Sequence, residues 1–144
     1  MTKARKNTAV SASFCCSVCG QEASLVTFVP AGQPDPRLTP ETPDMPQGIS
    51  MLGSDQARLS IHGGPVSYTI GVSGNKVELV KAALLAQSAA QLYALDYQYA
   101  PFWCRECKHC YCREHYPSYA AYDDGYFDCY YGTCPKGHKR MLSD

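Results

Sequence analysis

"CRECKHCYCREH", residues 104–115, places four cysteines and two histidines within twelve positions. A tetrahedral metal site takes four Cys or His ligands, so this run holds more donors than one ion needs, and the partners of the surplus must lie elsewhere. Working outward, Cys16-Ser17-Val18-Cys19 stands upstream and Cys134-Pro135-Lys136-Gly137-His138 downstream. The run itself divides into Cys104-Arg105-Glu106-Cys107 and Cys112-Arg113-Glu114-His115. Such turns point two donors at one ion, and four pairs make two closed sites. The expected ligands are therefore Cys16, Cys19, Cys104, Cys107, Cys112, His115, Cys134 and His138, holding two zinc ions. Two connectivities satisfy the spacing. The crossed one, which we expect, joins Cys16 and Cys19 to Cys112 and His115, and Cys104 and Cys107 to Cys134 and His138. The sequential one gives Cys104, Cys107, Cys112 and His115 one ion and leaves the outer pairs the other.

Cys15, Cys110 and Cys129 remain over and are expected to be small buried side chains. Cys104, Cys107 and Cys110 also spell C-x-x-C-x-x-C, part of a ferredoxin-type pattern, so an iron–sulfur cluster is an alternative cofactor. Cys112 follows Cys110 after one residue instead of three, which breaks that pattern. His109, between Lys108 and Cys110, is a minor candidate for a substitute ligand, and His62, beside a Gly-Gly turn, reads as an exposed turn residue.

The order of the four pairs resembles the cross-brace, treble-clef group of zinc fingers, which contains RING, FYVE and AN1 fingers. The likeness covers residues 14–20 and 102–140. In RING ubiquitin ligases an apolar residue inside the first pair, a proline after the first ligand of the last pair and a basic residue after the final ligand touch the conjugating enzyme. The resemblance implies that role for Val18, Pro135 and Lys139. The second pair departs from the usual Cys-x-His of a RING, and 84 residues separate Cys19 from Cys104.

That interval has its own organisation. Ser24 to Val29 is β-branched and aromatic enough for a short strand. Pro30 to Gly48 holds prolines at 30, 34, 36, 40, 43 and 46 and reads as a mobile linker. Leu59 and Ile61 alternate before Gly63-Gly64-Pro65, and Val66, Tyr68 and Ile70 after it, which predicts a hairpin over 58–70. From Asn75, an N-cap candidate, an Ala/Leu-rich run predicts one helix ending before Pro101, with Val77, Val80, Leu84, Leu85, Leu92 and Leu95 facing the hairpin.

The expected fold class is thus α+β: a small zinc-stabilised domain in which a cross-brace treble-clef finger is interrupted by an inserted hairpin and helix. Its expected parts are a flexible basic tail (1–13), a first knuckle and strand (14–29), the linker (30–48), the insert (49–100) and a Cys/His/aromatic region (101–144).

With 13 basic and 13 acidic residues the chain has no net charge, so a field drawing it to nucleic acid or anionic membrane is not expected. Ten of the sixteen aromatic residues follow Pro101, where Lys plus Arg and Asp plus Glu each number six. Rings without a basic groove suit packing better than base stacking, leaving single-stranded nucleic-acid binding the weakest reading. The acidic edge of Asp123, Asp124 and Asp128 fits a protein partner. No secretory or membrane-spanning run is apparent, which with metal-type cysteine spacing predicts a cytoplasmic protein.

A catalytic zinc keeps an open position, whereas four complete pairs leave none. The sequence therefore predicts a non-catalytic interaction module or adaptor, its surface made by Val18, Trp103, the tyrosines and Lys139. The alternative is a RING-like ligase or cofactor in ubiquitin-like conjugation, which would act by positioning a partner enzyme.

Overall fold

The computed structural model describes residues 10–32 and 56–143. The basic residues near the start and most of the proline-rich linker lie outside the described residues. The architecture is small α+β, with a four-stranded, a two-stranded and a three-stranded sheet and two short helices.

The four-stranded sheet is an antiparallel meander of β1 (Val10–Cys15), β2 (Glu22–Val29), β3 (Arg58–His62) and β4 (Tyr68–Gly71), in that order. Period-two alternation sorts its side chains. Val10, Phe28, Leu59 and Ile70 make one cross-strand row, and Ala12, Val26, Ile61 and Tyr68 the next. These rows share the apolar face. The intervening row is Ser11, Thr27, Ser60 and Thr69, with Ser11 Oγ 3.0 Å from Thr27 Oγ1.

The predicted hairpin is present as β3–β4 and joins a larger sheet. The predicted Ser24–Val29 strand lies within β2. Strand β1 was not anticipated and begins inside the segment read as a tail. Its alternation is clear in Ala12 and Phe14, which are buried between exposed Ser11, Ser13 and Cys15, but alanine and serine carry little β signal. At the β3–β4 turn, Gly64 has φ 76°, and a Cβ there would stand 2.9 Å from the Ala23 carbonyl and 3.3 Å from Phe102 Cβ. Glycine lets the turn close onto the segment that leads to Cys104.

The single predicted helix is two: α1 (Val77–Leu85) and α2 (Ala89–Leu95). Gln87, at φ 51°, ends α1 in a Schellman turn: Ser88 N–H donates to Ala83 O and Gln87 N–H to Leu84 O, both at 3.0 Å. Ser88 then caps α2, its Oγ accepting from Gln91 N–H at 3.1 Å. Asn75 caps neither helix; it lies in a short 3₁₀ turn, Gly74–Lys76, and its Oδ1 accepts from Ser73 Oγ. Val80, Ala83, Leu84, Ala89 and Leu92 pack on the apolar sheet face with Phe102 and Trp103, but Leu85 is exposed, because at 100° per residue it falls on the far side of the helix from the Val80–Ala83 stripe.

After α2 the chain enters a two-stranded ribbon, β5 (Trp103–Cys104) with β6 (His109–Cys110), then a meander of β7 (Ser118–Asp123), β8 (Tyr126–Thr133) and β9 (Lys139–Ser143). The β7–β8 turn, Asp124-Gly125, has φ of 52° and 84°, as a two-residue type I′ hairpin demands. Where β8 meets β9, Gly132 leaves room for Leu142 and Tyr116, which a Cβ would approach to 2.7 and 3.1 Å. Arg140 on β9 ties the two halves together: its guanidinium donates to Trp103 O (2.8 Å) and Tyr97 O (3.2 Å) and lies 4.9 Å from the Tyr93 ring centroid. No helix among the described residues is long and apolar enough to cross a membrane.

Candidate metal centres

Four turns position the eight Cys and His donors. In the β1–β2 loop, Gly20 N–H donates to Cys16 O at 2.9 Å and Gly20 adopts φ 77°. The β5–β6 turn repeats this geometry, with Lys108 N–H donating to Cys104 O at 2.7 Å and Lys108 at φ 61°. A left-handed residue after the second cysteine reverses the chain in both, so the two sulfurs of each pair converge. Cys112 and His115 are brought together by one 3₁₀ turn, Arg113–His115, with His115 N–H donating to Cys112 O. Between β8 and β9, Gly137 at φ 91° folds His138 back toward Cys134.

These turns assemble two sets: Cys16, Cys19, Cys112 and His115, and Cys104, Cys107, Cys134 and His138, with all donor atoms of a set within 4.8 Å of one another. First and third pairs meet, as do second and fourth, so the sets interleave along the chain. The sequential pairing is not the one adopted.

In the first set Cys19 Sγ lies 3.7 Å from Cys112 Sγ, and His115 Nδ1 lies 3.1 Å from Cys112 Sγ and 3.6 Å from Cys16 Sγ. In the second, Cys107 Sγ is 3.6 Å from Cys134 Sγ, and His138 Nδ1 is 3.2, 3.3 and 3.6 Å from the sulfurs of Cys107, Cys134 and Cys104. A tetrahedron with zinc–sulfur bonds of about 2.3 Å and zinc–nitrogen bonds of about 2.0–2.1 Å has S···S edges of about 3.8 Å and S···N edges of about 3.5 Å. The S···S separations of 3.6–3.7 Å lie close to that edge and the S···N separations of 3.1–3.6 Å at or somewhat below it, and the sulfur separations far exceed a disulfide bond of about 2.05 Å. None of the nine cysteines forms a disulfide.

Backbone donors prepare the thiols for ligation. Val18 N–H, Cys107 N–H and His138 N–H donate to the sulfurs of Cys16, Cys104 and Cys134 at 3.4–3.5 Å. Burial works against ionisation of Cys16, but the N–H groups of Cys112, Cys19 and Val18 outweigh it and bring the thiol down to about 6. Burial is likewise overcome at Cys134 by the N–H groups of His138 and Lys136, giving about 7. At Cys104 burial prevails and pushes the thiol up to about 11. Three thiolates gathered this closely would repel one another, and a divalent cation at the centre of the set would offset that charge.

Around the sets lies a separate buried cluster of Cys16, Ala23, Cys104, Tyr111, Cys112, Tyr116, Cys134 and Leu142. Tyr111 meets Tyr116 edge to face at 5.9 Å, and its hydroxyl interacts with Cys107 of one set and Ser17 beside the other. The ring thereby links both.

The remaining predicted residues scatter. Cys129 is buried as expected, Cys110 is half-buried between the two cores, and Cys15 is exposed on β1. Cys110 and His109 belong to neither set, so C-x-x-C-x-x-C does not act as a unit. Val18 and Pro135 are exposed. Trp103, read from the sequence as interaction surface, is buried; it packs 5.1 Å from Tyr93 on α2 because β5 enters the sheet–helix core. Lys139 is exposed but lies over the rings of Tyr119 and Tyr131, 5.6 and 4.8 Å from their centroids. The tyrosines expected to supply a core divide: Tyr111 and Tyr116 are buried, whereas Tyr119, Tyr122, Tyr126 and Phe127 are exposed on the β7–β8 hairpin. Sequence reasoning missed that hairpin, although Asp124-Gly125 between alternating tyrosines was its signal.

The chain matches the family described as Domain of unknown function (DUF8328) over residues 6–144, and it belongs to that family. No curated protein and no solved structure matches it.

Proposed function

We propose that the protein is a zinc-binding, non-catalytic interaction module built on two closed structural sites in the cross-brace, treble-clef manner, with the hairpin and helices carried between the first and second ligand pairs. The observation that carries this reading is the interleaving of two Cys₃His sets whose edges fit a tetrahedron around zinc. Three soft sulfurs and an imidazole favour zinc over magnesium, calcium or manganese, and the exclusion of Cys110 from both sets disfavours an iron–sulfur cluster. Four protein ligands leave no position for a reactive water, so the metal would supply folding free energy and rigidity. The product of that rigidity is surface, and the exposed rings of the β7–β8 hairpin are the part of it least like an ordinary solvated face.

A RING-like role in ubiquitin-like conjugation is the second reading, favoured by the exposure of Val18 and Pro135 in the two outer turns. It is weakened by Lys139, which Tyr119 and Tyr131 already engage. Discharge of a conjugating-enzyme thioester separates the two readings. The interaction module leaves the discharge rate unchanged; acceleration by the zinc-loaded chain that disappears on Val18→Ala would replace it with the ligase.

A further inference from the structure

We propose that the tip of the β7–β8 hairpin is a docking site for an arginine-bearing segment of a partner protein; this rests on the interaction-module reading and names the chemistry of its partner. Tyr122 and Tyr126 are 67% and 78% exposed at the tip, and Phe127 is 49% exposed, an unusual amount of ring surface for an uncovered hairpin. Tyr122 and Phe127 stand edge to face with centroids 6.2 Å apart, so their faces are pre-arranged. Asp123 stands directly across the hairpin from Tyr126, Asp124 occupies the turn and Asp128 follows Phe127, and all three are exposed. No ion pair among the described residues engages those carboxylates.

A guanidinium satisfies both halves of such a surface, because it stacks on an aromatic face and accepts a carboxylate in a bidentate fork. An ammonium meets the charge but not the planar stacking. The surface also has length. Phe127 continues into Tyr130 at 5.0 Å, and Tyr130 borders a groove of about 550 Å³ lined by Pro65, Pro117 and Arg113, whose own guanidinium leaves the tip as the place for the partner's arginine.

Charge argues against other occupants. Nucleic acid or an anionic bilayer would bring phosphate against three carboxylates. A second copy docked tip to tip would place the same aspartates opposite one another. Since the whole chain is neutral, attraction to a cationic segment arises locally.

The test is fluorescence anisotropy of zinc-loaded full-length protein with a labelled (Gly-Arg)₄ peptide and its (Gly-Lys)₄ counterpart. Saturable binding of the arginine peptide is expected, at least about threefold tighter than the lysine peptide. Asp123→Asn with Asp124→Asn and Asp128→Asn should weaken it about tenfold, and Tyr122→Ala with Phe127→Ala by a similar factor. Asparagine keeps the left-handed turn at position 124, and the zinc content of each variant reports its folding. The proposal is overturned by no saturable binding to the unsubstituted protein, by equal affinity in the folded variants, or by the same substitutions instead abolishing binding of a dT₂₀ oligonucleotide, binding of phosphatidylserine vesicles, or concentration-dependent dimerisation. Two zinc ions without peptide binding would end the docking proposal alone; fewer than two would also end the reading beneath it.

Discussion

The sheet–helix half and the Cys/His half of this molecule solve the same problem with different means. The first buries seventeen side chains in one cluster, none of them a cysteine, drawn from β1, β2 and β3, from Ala57 and Val72 just outside β3 and β4, from two helices and from the segment 99–103. The second buries eight, and four of those are cysteines of the metal-type sets. Removing apolar area from water stabilises by roughly 25 cal/mol per Å², which serves the first half well and the second poorly. What the second half lacks in aliphatic volume, ligation supplies on the proposed reading.

The sharpest way to break this contrast is to remove the metal. A structural zinc site is worth on the order of 10–16 kcal/mol in zinc-finger peptides, so chelation should collapse the environment of Tyr111 and Tyr116 while the helical signal of α1 and α2 persists. Near-ultraviolet and far-ultraviolet circular dichroism, followed during titration with a chelator, should therefore part company. Coincident loss of both signals would mean that one core cannot stand without the other.

A smaller effect tests packing within the Cys/His half. Gly132→Ala puts a methyl group 2.7 Å from Leu142 Cδ1 and 3.1 Å from Tyr116 Cε1, and overpacking of that kind costs about 1–3 kcal/mol. Denaturant unfolding of the zinc-loaded protein should show the loss, with zinc stoichiometry unchanged.

The smallest effects fall in the sheet–helix half. Ser88→Ala removes the cap of α2 and should cost about 1 kcal/mol. Gln87→Gly relieves a side chain held at φ 51° and should gain about 0.5–1 kcal/mol. Thermal unfolding of the chelated protein is the informative readout, because both shifts should survive removal of the metal.

The two halves also differed in what their residues disclosed. Hairpin β3–β4 was readable because Leu59, Ile61, Tyr68 and Ile70 alternate around a Gly-Gly turn. The break between α1 and α2 was not, since Ala and Leu dominate on both sides of it; only Ser88 and Gln91, spaced as a capping box, mark the boundary. The eight donors were legible from spacing alone, because ligand pairs are local. Their assortment into two sets follows the crossed arrangement expected from the order of the pairs, although spacing also allows the sequential one and only long-range geometry decides between them. Trp103 misled for a related reason. Its neighbour Cys104 belongs to the metal-type set, yet strand alternation sends the indole into the other core.

The central claim is that two interleaved Cys₃His sets each hold one zinc ion. Metal content per chain, measured by mass spectrometry across single Cys→Ser variants, tests it most directly. Two zinc ions are expected in the unsubstituted protein and after substitution at Cys15, Cys110 or Cys129, and one after substitution at Cys16, Cys19, Cys104, Cys107, Cys112 or Cys134. A single zinc ion in the unsubstituted protein, iron in its place, or loss of metal on substituting Cys110 would contradict it.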